Sequence, residues 1–211
     1  AFDFEWTNKN LFYGQYARTN SFYSNSELAS FGLPSAGELN ILSPIKNKIP
    51  PEVFAETYNS PKNDGTGRIR KQLREARRLL EQAGWFVRDG KLVNRKFQAP
   101  FQFEILLISP AFERIVLPFV QNLKRLGIEA RVRTVDTAQY RKRTDDYDFD
   151  MVVATFGQSL SPGNEQREFW GSAAANRSGS RNLAGIQSSV IDKLVELVIS
   201  APDRKSLITR T

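Results

Sequence analysis

Two residue types with reactive side chains are absent from this sequence, and their absence excludes several kinds of site. The chain of 211 residues contains no cysteine and no histidine. Without cysteine it has no disulfide, no cysteine-ligated zinc site and no thiol nucleophile. Without histidine it lacks the commonest general base and metal ligand, which excludes histidine-dependent triads and histidine-ligated zinc. Paired carboxylates and ligand binding remain available, so the composition favours a binding protein over an enzyme.

Long hydrophobic runs are also absent. The longest ones, such as residues 105–108 and 151–154, are far shorter than the roughly 20 residues that span a bilayer. The N-terminus has no basic segment followed by an apolar one, as a signal peptide would have. The sequence begins at Ala1 rather than at a methionine, and at residues 208–211 it ends where a new helical stretch starts. We therefore expect both ends to be cuts through a longer protein.

What the sequence does contain is typical of a folded, basic domain. Hydrophobic residues make up 40% and charged residues 25%, which is far from the composition of a disordered chain. The length suits one large domain or two small ones with a real hydrophobic core. Lysine and arginine exceed aspartate and glutamate by 30 to 23, a net charge of +7.

Residues 1–68 form an aromatic and proline-rich segment with little periodicity. A short helix is predicted over residues 6–13, ended by Gly14, and a second over residues 24–30, ended by Gly32 and Pro34. Four further prolines predict an extended, solvent-facing connection after it. They are Pro44, Pro50, Pro51 and Pro61.

Residues 69–200 predict an α/β core. An amphipathic helix is expected over residues 69–83 because five apolar residues recur at helical spacing. Asp89-Gly90 then predicts a hairpin. The elements expected after it are a buried strand at 101–108, a helix at 112–126, an alternating strand at 129–135, a short helix at 137–143, a buried strand at 149–156, a polar loop at 158–185 and a helix at 189–200. The predicted fold class is α/β, a β-α-β-α-β core with a mixed sheet, helices packed on it and long aromatic and polar loops.

The surplus of basic residues raises one alternative function. A basic ferredoxin-like module that binds nucleic acid would carry exposed aromatic residues on a central strand, and neither 129–135 nor 149–156 supplies them. The basic residues concerned are more simply explained as solvated helix faces and an edge strand. They are Arg131, Arg133, Arg141, Lys142 and Arg143.

Four aspartates within six positions raise a second alternative. Asp145, Asp146, Asp148 and Asp150 lack the glycine-containing loop and the glutamate of a calcium site, so turn chemistry before a strand is the favoured interpretation. Catalysis by paired carboxylates stays open, because the partners of such a pair meet only in the fold.

The loop at residues 155–165 is a candidate binding site. It follows the last predicted strand, and α/β sheets place ligands beyond the carboxyl ends of their strands. Its backbone N–H groups, amides and hydroxyls suit peptide-like ligands. From the residues alone, an ordinary surface loop is equally consistent.

Several segments together resemble the periplasmic solute-binding proteins of peptide ABC transporters, which form solute-binding family 5. The longest segments that carry this resemblance are FDFEWTN (2–8), LFYGQY (11–16), GQSLSPGNEQR (157–167) and GSRNLAGI (179–186). Shorter matches stand at 24–29, 32–35, 83–85, 112–114, 126–133 and 148–151. Within the family, the chain is most similar to the branch that serves Yej-type oligopeptide and microcin C importers.

The resemblance implies a role in extracytoplasmic transport. It implies that residues 1–211 are the second lobe of a two-lobed protein, cut at both ends. The two lobes would close by a hinge around an oligopeptide or a microcin C-like peptide and deliver it to an inner-membrane ABC permease. The implied partners are the peptide, the permease and the missing first lobe, with no nucleic acid. The implied location is the periplasm, and neither catalysis nor a cofactor is expected.

The resemblance also directs attention to particular residues. The positions expected to line the peptide cleft are Phe156, Gly157, Gln158, Ser159, Asn164 and Glu165, then Trp170, Arg181 and Asn182. Asn20, Phe22, Tyr23 and Asn25 follow, although packing or capping would explain these four equally well, and core packing would explain Trp170.

One family motif departs from its usual form in this sequence. Family members carry Trp-x-x-Asp-Tyr after the last strand of the lobe, and that Asp pairs with the free amine of the peptide. Phe156 stands at the Trp position and Ser159 at the Asp position. Either Glu165 supplies the charge instead, or the amine is held elsewhere, or the ligand amine is formylated as in microcin C.

Overall fold

The computed structural model describes all 211 residues, with nine α-helices and five β-strands. The helices are α1 (Phe4–Leu11), α2 (Ala36–Leu42), α3 (Glu52–Ala55), α4 (Arg70–Gln82), α5 (Glu113–Lys124), α6 (Thr137–Asp145), α7 (Glu165–Trp170), α8 (Ser189–Ile199) and α9 (Arg204–Arg210). The strands are β1 (Trp85–Arg88), β2 (Lys91–Asn94), β3 (Gln102–Leu107), β4 (Glu129–Thr134) and β5 (Met151–Val152).

The chain forms two compact units that do not follow a single cut in the sequence. The first unit comprises residues 1–18, 61–144 and 148–154. The second comprises residues 19–60, 145–147 and 155–211.

The first unit contains all the strands, in the predicted β-α-β-α-β order. Strands β4, β3 and β5 form a parallel sheet in that spatial order, with Ile105 opposite both Val132 and Met151. Helix α5 connects β3 to β4, and α6 connects β4 to β5. The antiparallel pairing lies in the separate β1–β2 hairpin, so parallel and antiparallel pairs occur in two different sheets.

The hairpin has the geometry expected from its turn residues. Asp89 and Gly90 both have positive φ, 49° and 77°. Positive φ at both central positions defines a type I′ turn, whose twist matches that of paired strands. The prediction from Asp-Gly is confirmed.

The core of the first unit forms on the central strand and under α4. The three last residues of β3 are fully buried, and Ile105 and Leu107 pack with Val116 of α5. Leu73 of α4 lies in a second buried cluster. The other buried members of that cluster are Ile69, Leu92, Leu123, Leu126 and Ile128. The predicted helices at 69–83 and 112–126 therefore form because burial rewards their periodic apolar faces.

Two predictions for the aromatic, proline-rich segment are wrong. Residues 24–30 form successive turns rather than a helix, because Asn25 adopts φ 65°, which a right-handed helix does not allow. The connection after residue 34 is largely helical rather than extended: it contains α2, a 3₁₀ segment (Ser43–Lys48) and α3. Ser35 and Glu38 form a capping box at α2, and Pro44 occupies the first turn of the 3₁₀ segment, where no N–H is needed.

The last strand is shorter than expected. A buried strand was predicted over 149–156, but only Met151 and Val152 pair, both with β3. Met151 lies at the edge of the sheet and is 38% exposed. The chain leaves the sheet after Val152 and enters the second unit at residue 155.

The second unit is helical. Helix α8 contacts α7 and α9, and α9 contacts α2. Leu28, Phe169 and Val195 are among its buried apolar side chains. Helix α7 lies inside the stretch predicted to be a polar loop, and no helix in the chain is both long enough and apolar enough to cross a bilayer.

Candidate functional site

An aromatic cluster of the second unit brings together three of the predicted site residues. The ring of Trp170, the last residue of α7, stacks on Phe156 with 5.2 Å between centroids. Phe22 lies 4.8 Å from Trp170 and 5.9 Å from Phe156. Phe169 completes the cluster from the buried side. Phe22 itself remains 62% exposed, so the cluster presents one aromatic ring to solvent.

A chain of amides runs beside the aromatic cluster. Gln158 Oε1 accepts hydrogen bonds from the Tyr23 hydroxyl (3.1 Å) and from Gln166 Nε2 (2.8 Å). Trp170 Nε1 donates to Gln166 Oε1 at 2.9 Å. Because the indole N–H can only donate, it fixes the orientation of the Gln166 amide, which in turn fixes that of Gln158. Gln158 Nε2 is left buried without an acceptor.

One carboxylate closes this network. Glu165 Oε1 accepts from the backbone N–H of Gly163 (2.8 Å) and from Gln166 Nε2 (3.2 Å). Burial opposes ionisation, but these hydrogen bonds outweigh it and the pKa of Glu165 lies below its ordinary value. Glu165 is therefore charged at neutral pH.

The same surroundings shift the pKa of Tyr23 upward, opposite to the shift of Glu165. Burial, and next the negative charge of Glu165, raise the pKa of Tyr23 to about 12. The hydroxyl therefore stays protonated at neutral pH and keeps donating to Gln158. The cluster thus combines aromatic rings, fixed amides and a single negative charge.

Arg181 and Asn182 lie in the loop that follows α7. The guanidinium of Arg181 is exposed and lies over the Phe169 ring, 5.3 Å from its centroid. The side chain of Asn182 is completely buried. Its Nδ2 donates to the carbonyls of Gly171 (3.0 Å) and Ile186 (2.9 Å), and its Oδ1 accepts from Ile186 N (2.9 Å). Asn182 therefore organises the loop with an amide that is fully buried.

The remaining predicted residues make their contacts outside the aromatic cluster and its chain of amides. Asn20 is exposed and accepts a long hydrogen bond from Ser60, 3.4 Å, and Asn25 holds its turn. Gly157 is exposed. Ser159 Oγ accepts from Ser161 N (3.0 Å), and Asn164 Oδ1 accepts from Arg167 Nη1 (2.5 Å). The last two contacts are local to the loop and to the start of α7.

Two residues of the cluster were missed from the sequence. Gln166 and Phe169 belong to α7, and with Trp170 they stand at i, i+3 and i+4, the spacing of one helix face. That spacing was the available signal, but it spans a single turn within a polar stretch.

Two of the four aspartates, Asp148 and Asp150, take structural roles in the first unit. Asp148 and Glu104 both pair with Arg143, at 2.7 and 2.6 Å. Asp150 accepts from the backbone N–H of Glu104 at 2.8 Å. Nowhere in the chain do three or more acidic side chains group as a metal site would require. Glu104 and Asp150 thus connect the central strand to the start of the edge strand.

Comparison with known proteins identifies relatives over the whole length of the chain. Residues 1–178 match the model of bacterial extracellular solute-binding proteins, family 5 Middle. An uncharacterised protein of Sinorhizobium fredii, y4wM, is 51% identical over 100% of this chain and 32% of its own length. A probable peptide-binding protein of Agrobacterium fabrum, YejA, is 48% identical over 97% of this chain and 33% of its own length.

A solved structure supports the fold. The oligopeptide-binding protein AppA of Bacillus subtilis, solved with a nonapeptide, matches 82% of this chain and 35% of its own with a TM-score of 0.58. At 20% sequence identity, this similarity concerns the fold alone. The chain spans about a third of the length of the curated relatives it matches. Because the family model covers most of its residues, this chain belongs to family 5 of the bacterial extracellular solute-binding proteins.

Proposed function

We propose that this chain is part of an extracytoplasmic protein that binds oligopeptides and delivers them to the permease of an ABC importer. The observation that carries the proposal is the cluster around Trp170. An exposed aromatic ring, fixed amides and one carboxylate are the groups that recognise the side chains, backbone and amine of a peptide.

Gln158 adds to this match. Its buried Nε2 donor has no acceptor within the protein, and leaving a donor unpaired costs about 1–3 kcal/mol. A peptide carbonyl would satisfy this donor only if binding exposes it, because the Nε2 atom is inaccessible to solvent in this structure. The peptide-binding description of the YejA relative and the nonapeptide bound to AppA support the same class of ligand.

The finer parts of the proposal concern architecture and location. We propose that residues 1–211 form the second lobe of a two-lobed protein of the periplasm, since the relatives are about three times as long. The first lobe would complete the cleft, and hinge closure would present the loaded form to an inner-membrane permease. The role is binding without catalysis, and nothing in the comparisons points to nucleic acid.

The group that binds the peptide amine must differ in this chain from the aspartate of other family members. Ser159 provides no charge at the position of the family aspartate, and its hydroxyl is engaged in a local turn. Glu165 is ionised, and the hydrogen bonds that it accepts from Gly163 N and Gln166 Nε2 both fall on one oxygen, Oε1. We therefore propose Glu165 as the partner of a free amine; a formylated peptide, such as microcin C, would not need it.

Substitution of the exposed aromatic ring tests the proposed function. We expect Phe22→Ala to weaken the binding of a random library of three- to six-residue peptides about tenfold, because the ligand loses an apolar surface that it covers. The measurement is isothermal titration calorimetry on the full-length gene product. Phe97→Ala is the matched control, since Phe97 is 70% exposed in the first unit.

The same titrations separate the two ways of holding the amine. Glu165→Gln should weaken the binding of peptides with a free amine and leave the binding of N-formylated peptides unchanged. Only the peptides with a free amine bring a positive charge to Glu165. Unchanged affinity in Glu165→Gln would remove Glu165 from this role. Equal affinities of Phe22→Ala, Phe97→Ala and the unmodified protein would contradict the proposed site.

A further inference from the structure

Four arginine side chains surround one pocket of the first unit. Its volume is about 300 Å³. Arg70, Arg74 and Arg77 of α4 line one side, and Arg125 lines the other from the end of α5. The remaining lining residues, Leu73 and Leu126, are buried core residues that form an apolar floor.

The arrangement follows from helix geometry. Residues 70, 74 and 77 stand at i, i+4 and i+7, so they share one face of α4. At a rise of 1.5 Å per residue, they span about 10 Å along the helix axis. The turn after α5, which is anchored by Leu126 in the core, brings Arg125 to the same opening.

These positive charges have no acidic partner. Arg70, Arg74 and Arg77 are exposed, and no carboxylate lies within ion-pair distance of any of them. Glu75, on the same helix, is paired with Arg78 at 2.5 Å. The guanidinium of Arg125 donates only to the neutral side chain of Asn122, at 3.2 Å. The pocket therefore concentrates uncompensated positive charge, which solvent and salt alone screen.

The chemistry of the lining selects one class of ligand. A guanidinium group presents a planar fork of N–H donors that matches the oxygens of phosphate, and Arg is favoured over Lys where that geometry matters. Three such groups over about 10 Å of α4, with Arg125 at the same opening, can neutralise more than one anionic group. A peptide carboxylate, with a single charge, would satisfy only part of them.

We propose that this arginine pocket binds a ligand that carries neighbouring phosphate groups. The phosphates could belong to a free polyphosphate or to the headgroups of an anionic bilayer surface, because both present the same oxygens. The inference rests on the first unit alone and is independent of the peptide proposal.

The test uses two probes on the full-length gene product. Inorganic pyrophosphate is titrated by calorimetry, and vesicles of phosphatidylglycerol and phosphatidylcholine are used for co-sedimentation, each at two salt concentrations. In the double variant Arg74→Glu/Arg77→Glu, the probe that binds should lose about tenfold or more of its affinity. Raising the salt should weaken binding by the unmodified protein, because salt screens exposed charges.

A matched control separates the pocket from general positive charge. Lys62→Glu/Arg133→Glu makes the same change in net charge at two exposed positions of the same unit that do not line the pocket. It should retain the affinity of the unmodified protein. Arg74→Gln/Arg77→Gln, with circular dichroism to confirm folding, repeats the test without introducing negative charge.

The outcomes are distinct. Binding of pyrophosphate that depends on these arginines identifies a free phosphate compound as the source, and binding of vesicles alone identifies the lipid headgroup. Absence of binding by both probes, or equal losses in the pocket variant and the control, would overturn the proposal.

Discussion

Replacement of Gly127 by alanine is expected to destabilise the protein by about 3 kcal/mol or more. Gly127 lies in the turn after α5 with φ 83°, a conformation that residues with a Cβ avoid. Ile128 N donates back to Leu123 O and Leu92 N donates to Gly127 O, so the turn joins the helix, β4 and the hairpin. An added Cβ would lie 2.7 Å from Leu92 N and 3.0 Å from the Lys91 carbonyl carbon, both backbone atoms of β2.

Gly84 provides the matched control for this prediction. It follows α4 with φ 86°, but a Cβ there would meet no atom within 4 Å. Gly84→Ala should therefore cost only the strain of the left-handed conformation, about 1–2 kcal/mol. Urea unfolding of both variants measures the difference. Equal losses of stability would mean that the close approach of Gly127 to β2 does not constrain this position.

Asn182→Asp is expected to reduce the free energy of unfolding by about 3–5 kcal/mol at neutral pH. The buried amide donates to two carbonyl oxygens, of Gly171 and Ile186. A carboxylate at this position has no hydrogen to donate and would face both oxygens without solvent. Asn164→Asp is the control, because Asn164 is exposed at the start of α7, where a negative charge is favourable.

The effect of Asn182→Asp should depend on pH with a definite sign. Burial raises the pKa of the introduced carboxyl above its unfolded value of about 3.9, so the folded state binds its proton more tightly. The penalty is therefore smallest below about pH 4 and grows as the pH rises. Denaturant unfolding at several pH values measures this. If Asn182 lined the ligand cleft instead, Asn182→Asp would leave stability unchanged and lower only the affinity for peptide.

The sequence predicted those elements whose formation depends on burial of a periodic face. Helices α4 and α5 and strands β3 and β4 lie within a few residues of their predicted positions, because the core selects apolar side chains at intervals of 3.6 or 2. The hairpin prediction from Asp89-Gly90 was correct for another reason. The turn itself requires residues that adopt positive φ at these two positions. Two of the wrong predictions, at 24–30 and after residue 34, fall where periodicity is weak and where Asn25, Pro44 and the Ser35–Glu38 box decide the backbone locally.

The candidate site was predictable only in part. Its residues on the loop after β5 were identified, but the contact of Phe22 with Trp170 and the bond from Tyr23 to Gln158 join segments that are far apart in sequence. No local pattern specifies such pairs. Asn182 shows the opposite case: a polar residue in a polar loop is fully buried, because its amide replaces the missing backbone partners of the turn.

The small molecules that accompany the native protein test the central claim most directly. The full-length gene product would be purified without denaturation, washed, then denatured, and the released compounds identified by mass spectrometry. We predict a set of short peptides, whose lengths and N-termini would also show whether the amine is free or formylated. An extract without peptides, together with no thermal stabilisation by an added peptide library, would contradict the proposed function.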